Sequence, residues 1–76
     1  MFLDVLPFKN DTARLVRVYG DEPCITLPEA LPAPEGGTLT ITELGDYCFS
    51  EKPRGLPAPE ELCRYAVELD GTARLL

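Results

Sequence analysis

Two proline-rich connections, PEALPAPEGG at residues 28–37 and EKPRGLPAP at 51–59, cut the chain into short pieces. Proline donates no ladder hydrogen bond and glycine relaxes the backbone, so both stretches read as loops. What lies between them is rich in β-branched and aromatic residues with period-two alternation, the pattern of strands. Residues 2–8 (FLDVLPF) and 13–19 (ARLVRVY), separated by Lys9-Asn10-Asp11-Thr12, are expected to form a β-hairpin. Strict alternation in the second arm puts Val16 and Val18 on one face and Leu15, Arg17 and Tyr19 on the other. Gly20-Asp21-Glu22-Pro23 is a turn. Cys24-Ile25-Thr26-Leu27 is a short strand that Pro28 ends or confines to an edge. Thr38 to Thr42 alternates again, with Leu39 and Ile41 inward and the three threonines outward. Leu44 to Phe49 reads as a tight turn into a brief helical or extended piece.

Residues 59–71 support two readings. As a strand, Cys63, Tyr65, Val67 and Leu69 share one face, and Asp70-Gly71 forms a two-residue hairpin turn into Thr72 to Leu76. As a helix over 59–69, Leu62, Tyr65, Ala66 and Leu69 share one stripe behind Pro59 at a first-turn position, with Gly71 as the stop. The hairpin is preferred, because Thr-Ala-Arg-Leu-Leu has strand character and needs a partner. Two internal echoes are present. LPAPE occurs at 31–35 and at 56–60, and NDTARLV at 10–16 resembles DGTARLL at 70–76, as though one hairpin were used twice. The expected class is therefore mainly β, one small domain over 1–76, with a short helix at 59–69 as the alternative.

A chain of 76 residues buries only about 60% of its unfolded surface on folding, so its stability is marginal. Its 45% hydrophobic and 26% charged residues are nevertheless those of a globular domain. Seven basic against 13 acidic residues leave a charge of −6, which repels phosphate backbones and anionic lipid and argues against nucleic acid and membrane partners. No run approaches the roughly 20 apolar residues that span a bilayer. MFLDVLPFKND lacks a basic residue before its apolar run, unlike a signal peptide. The expected compartment is the cytoplasm. Leu75-Leu76 stands in what reads as mid-strand, which suggests one piece of a longer polypeptide or docking against another chain.

Cys24, Cys48 and Cys63 are odd in number, form no C-x-x-C and have no histidine to join them. Zinc is not expected, nor any other metal or cofactor. Buried apolar thiols in a reducing compartment are the simpler reading. The paired acids Asp21-Glu22 and Glu60-Glu61, with Glu43 and Asp46, are read as a solvated face, since nothing in their spacing places two carboxylates for acid-base work or calcium. No catalytic residues are assigned.

One further pattern runs from Cys24 to Ser50. Ile25-Thr26-Leu27-Pro28 is followed by the loop glycines Gly36-Gly37, the extended Leu39-Thr40-Ile41-Thr42, and Glu43-Leu44-Gly45-Asp46-Tyr47-Cys48-Phe49-Ser50. This order resembles one unit of the BspA-type leucine-rich repeat family, whose repeats close on Ile-Gly-x-x-Ala-Phe. It departs from the family in Cys48 for alanine, in the long loop from Glu29 to Thr38, and in Pro53 to Pro59 where the next unit would start. The resemblance implies Leu44 and Phe49 as core plugs, Gly45 as the residue of a tight turn, and Leu27, Leu39 and Ile41 as their apolar wall. It also implies an N-terminal capping region of a longer repeat protein, or a degenerate single unit with a flanking hairpin.

The expected function is accordingly a non-enzymatic protein-interaction or capping module. Its partner is another protein, or a second copy in a homodimer, met through the strand edges at 13–19 and 72–76 and through Leu75-Leu76. The alternatives are a small thiol-dependent enzyme or redox protein using Cys24, Cys48 or Cys63, and a structural oligomer subunit.

Overall fold

The computed structural model describes residues 1–20, 27–45 and 57–76. Among them, six strands follow in chain order: β1 (Phe2–Pro7), β2 (Thr12–Tyr19), β3 (Leu31–Pro32), β4 (Thr38–Leu44), β5 (Cys63–Val67) and β6 (Ala73–Leu75). A 3-10 turn, Pro59–Glu61, precedes β5. The protein is mainly β, as expected. Its strands form one mixed sheet in the order β3-β4-β2-β1-β5-β6, antiparallel except where β2 meets β4. The two end strands, β3 and β6, lie against each other, so the sheet is nearly closed on itself. Leu3, Val5, Ala13, Leu15, Leu31, Leu39, Tyr65 and Val67 fill the interior with Met1, while Val18, Leu27 and Ile41 pack against them.

Three hairpins share one connection. Phe8 N–H donates to Thr12 O at 2.8 Å, Ala33 N–H to Gly37 O at 3.1 Å and Glu68 N–H to Thr72 O at 2.9 Å. Each bond closes a three-residue loop whose last residue has positive φ: Asp11 at 62°, Gly36 at 101° and Gly71 at 90°. This is the hairpin class in which a left-handed residue re-enters the ladder as a bulge. The two-residue Asp70-Gly71 turn is therefore corrected to a three-residue loop, with Asp70 Oδ1 accepting the Thr72 N–H at 2.9 Å. Leu69 is consequently in the turn and 80% exposed, not on the inner face.

The echo between NDTARLV and DGTARLL is structural. Val5, Leu6 and Pro7 pair with Leu15, Arg14 and Ala13, and sixty positions on Tyr65, Ala66 and Val67 pair with Leu75, Arg74 and Ala73. The two hairpins are joined through β1 and β5, where Asp4 faces Arg64, again sixty positions apart. Two equivalent positions that pair with each other define a local two-fold axis, so β2-β1-β5-β6 is a pseudo-symmetric four-stranded unit.

Three strand expectations need correction. Between Asp4↔Arg17 and Val5↔Leu15 the ladder skips Val16, so β2 carries a bulge and the faces exchange there. Leu15 and Val18 consequently both serve the interior, while Val16 is buried outside that cluster. The loop expected over 28–37 contains β3, where Leu31 is buried and pairs with Leu39. Its Pro32 is tolerated because β3 is a terminal strand. The alternative helix over 59–69 ends at Glu61, since Leu62 is already extended at φ −102° and ψ 146°. Pairing of Cys63–Val67 with strands on both sides outweighs the helical stripe. The remaining expectations for 21–26 and 46–56, including the turn through Asp21-Glu22-Pro23 and those for Cys24, Cys48 and Phe49, lie outside the described residues.

The hairpin loops and Tyr65 make the fold testable. A methyl group added at Gly71 would meet open space, but the φ there is one that L side chains avoid. Gly71→Ala is expected to cost about 1 kcal/mol or more in denaturant unfolding, whereas Asp11→Gly, which relieves a left-handed non-glycine, leaves stability within about 1 kcal/mol. Tyr65 is fully buried and donates to Pro32 O at 2.6 Å across the interior. Burial, with a smaller push from Cys63, raises its phenol from 10.0 to about 12. A group whose pKa is raised by folding contributes stability that is whole below the unfolded value and is lost as pH climbs through the folded one. Stability should thus fall between pH 10 and about 12. Tyr65→Phe should lower it by about 1 kcal/mol at neutral pH and flatten that alkaline limb.

Candidate functional site

Alternation along β1, β2 and β5 puts a second set of side chains on the outer face. Register sets Asp4 between Arg17 on β2 and Arg64 on β5, and Phe2 between Tyr19 and Ala66. Arg17 would not stand beside Asp4 on this face without the Val16 bulge.

Asp4 is the buried charged residue of the described chain, 4% exposed. A carboxylate so placed requires partners, because its desolvation is otherwise uncompensated. Arg64 Nε donates to Asp4 Oδ1 at 3.1 Å, and the Tyr19 hydroxyl donates to the same oxygen at 3.3 Å. The Asp4 bond holds Arg64 protonated, its pKa moved further above the ordinary guanidinium value. Burial raises the Tyr19 phenol above 10.0, and the Asp4 carboxylate pushes it the same way against the two arginines. Tyr19 also organises the cations. The Arg17 guanidinium carbon sits 4.4 Å from its ring centroid and that of Arg64 5.6 Å, while Phe2 stacks on it at 5.5 Å and 27°.

Asp4, Arg17 and Arg64 border an open pocket of about 620 Å³, whose other walls are Pro57, Ala58, Pro59, Leu62 and Leu76. The proline side is held by the 3-10 turn. Leu62 N–H donates to Pro59 O at 3.2 Å, and Glu61 Oε2 accepts the Ala58 N–H at 3.1 Å. Leu76, just past β6, is held by its N–H donating to Arg64 O at 2.9 Å. Among the described side chains that line it, two guanidiniums stand against one carboxylate, in a chain of net −6. Among the described residues no carboxylate pairs with Arg17, whereas Arg14 pairs with Glu43 at 2.9 Å and Arg74 with Glu68 at 3.3 Å.

The residues singled out from the sequence are distributed differently. Leu39 is buried, and Leu27 and Ile41 pack against the core, as expected. Leu44, expected as a core plug, is 65% exposed. Parallel pairing with Leu15 directs the end of β4 along the sheet instead of turning it inward. Gly45 is needed for close approach. Its N–H donates to Leu15 O at 2.7 Å, and an added Cβ would lie 3.0 Å from that oxygen. The expected edge at 13–19 is paired on both sides over residues 13–15, because β4 adds to it. The edge at 72–76 does end the strand order, but faces β3. Cys63 is half-buried, and burial pushes its thiol above 9.0, opposite to the shift of an activated nucleophile. No group of three Cys, Asp or Glu suited to a metal occurs among the described residues. No helix among them is long and apolar enough to cross a membrane.

Sequence reasoning missed the Asp4, Arg17, Tyr19 and Arg64 group. The available signal was an aspartate inside an apolar strand, which asks for a partner on the neighbouring strands. Comparison with protein-family models, with curated proteins and with solved structures gives no match for this chain.

Removing the Arg64 guanidinium leaves Asp4 with only the longer Tyr19 bond. Arg64→Met is therefore expected to lower the melting temperature clearly, and Asp4→Asn in the same background to restore part of the loss. Arg17→Ala, which breaks no ion pair among the described residues, should barely move it. Thermal unfolding of the parent and these variants tests this order.

Proposed function

We propose that the chain is a non-enzymatic protein-interaction module that meets its partner with the outer face of β2, β1 and β5. The observation that carries this reading is the composition of that face. Phe2, 37% exposed, is stacked on Tyr19, whose ring also meets Arg17 and Arg64, and those two arginines line a pocket with leucine and proline walls. Aromatic residues and arginine are the types that dominate binding energy at protein interfaces, and here both are pre-organised.

The finer reading, a cap on a leucine-rich repeat array, draws on the resemblance over Cys24 to Ser50. Exposed Leu44 gives a following unit an apolar surface to cover. Self-association through a strand edge has less support, since β2 is paired on both sides over residues 13–15 and β6 faces β3. A reducing compartment such as the cytoplasm suits a chain with three thiols and no pairing arithmetic.

Peptide display against the immobilised domain, followed by affinity measurements on variants, tests the module. Selected segments should bind at least about tenfold more weakly to Phe2→Ser than to the parent, and equally well to Glu35→Ala on the β3–β4 loop. Binders indifferent to Phe2→Ser, or a library that yields none, would remove the reading.

A further inference from the structure

The pocket beside Asp4 holds more positive donors than the fold consumes. Arg64 commits Nε to Asp4, and its side chain is 58% exposed, so its two Nη nitrogens are left for other acceptors. Arg17 is steadied by the Tyr19 ring, and among the described residues no carboxylate takes its fork. Two guanidiniums flanking one ring, each held in place without a ligand, suit a planar anion that accepts parallel N–H bonds. The rest of the described lining is apolar, made by Pro57, Ala58, Pro59, Leu62 and Leu76.

The size of the charge narrows the choice. A chain of net −6 repels polyanions at long range, and the Asp4 carboxylate sits on the pocket floor. A carboxylate matches the planar guanidinium fork and adds a single charge, the smaller load for a site that already holds the Asp4 carboxylate. We infer that the pocket recognises a carboxylate carried on a small apolar group, with Arg17 and Arg64 taking the carboxylate and the proline and leucine wall taking the apolar part. This rests on the interaction-module reading in one respect only, that the natural carrier is a protein segment. A free small acid has the same chemistry, and the experiment separates the two.

Backbone amide shifts of the whole chain in NMR titrations serve as the readout. The probes are N-acetyl-leucine, its uncharged amide, inorganic phosphate, and end-blocked Leu-Glu-Leu and Leu-Gln-Leu peptides. N-acetyl-leucine and Leu-Glu-Leu should shift the amides of Arg17, Leu62 and Arg64 saturably. The leucine amide and Leu-Gln-Leu should bind at least about tenfold more weakly, and phosphate no better than these. Arg17→Ala should bring the two acids down to the level of their uncharged counterparts, and Arg17→Lys should recover only part, because the fork is lost. The dispersed spectrum of each variant reports that it is folded.

Equal binding of charged and uncharged probes, or affinity indifferent to Arg17→Ala, overturns the inference even where peptides still bind and the module stands. Binding of N-acetyl-leucine without Leu-Glu-Leu supports carboxylate recognition and removes the protein segment as its carrier. Tighter binding of phosphate than of either acid also overturns it.

Discussion

The pairing of β1 with β5 brings two halves of the chain together at Asp4 and Arg64, and most of the architecture takes its position from that contact. Asp4 is buried, and a buried carboxylate tolerates few alternatives: it must meet a cation and a hydrogen-bond donor in the folded state or be left desolvated. Because Arg64 and Tyr19 both meet it through the same oxygen, the register of β5 on β1 and of β2 on β1 is specified from one atom. A slip of one residue would move Asp4 away from both and turn Leu3 and Val5 out of the interior. The charged pair thus acts chiefly on specificity, while the inner face supplies the burial that holds the sheet together.

Around that pair the chain uses one solution repeatedly. Three hairpins close with the same three-residue loop, and two of them are related by a shift of sixty residues and by a local two-fold axis. The symmetry is then broken at the outer edges. β4 joins β2 in parallel, while β6 ends the order and faces the two-residue β3. Closure across that seam depends on side chains, above all on the Tyr65 hydroxyl reaching Pro32 O. The outer face is where the halves differ most usefully, since Arg17 and Tyr19 come from β2 and the leucine and proline wall from the β5 side.

Legibility differed between the two faces of the sheet. Inward positions announce themselves by alternation, and Leu39, Tyr65 and Val67 were readable for that reason. The outer cluster was not, because its members lie at 4, 17, 19 and 64 and only cross-strand register brings them together. A bulge at Val16 compounds this: period-two counting holds on either side of it and fails across it. Leu44 failed for a related reason. Its local pattern suits a plug, but the partner strand that decides its direction is that of Leu15, twenty-nine positions earlier.

Local chemistry in the chain determined that extended segments alternate with proline and glycine connections, that 2–19 forms a hairpin, and that the sequence at 70–76 echoes that at 10–16. These properties depend on neighbours within a few residues, where alternation, turn residues and proline act directly. Tertiary structure alone decided the parallel β2–β4 pairing, the suppression of a helix after Pro59, and the conversion of a lone aspartate and two arginines into one pocket. Each of these turns on burial and hydrogen bonding between residues far apart in sequence, energies that exist only once the sheet has closed around its interior.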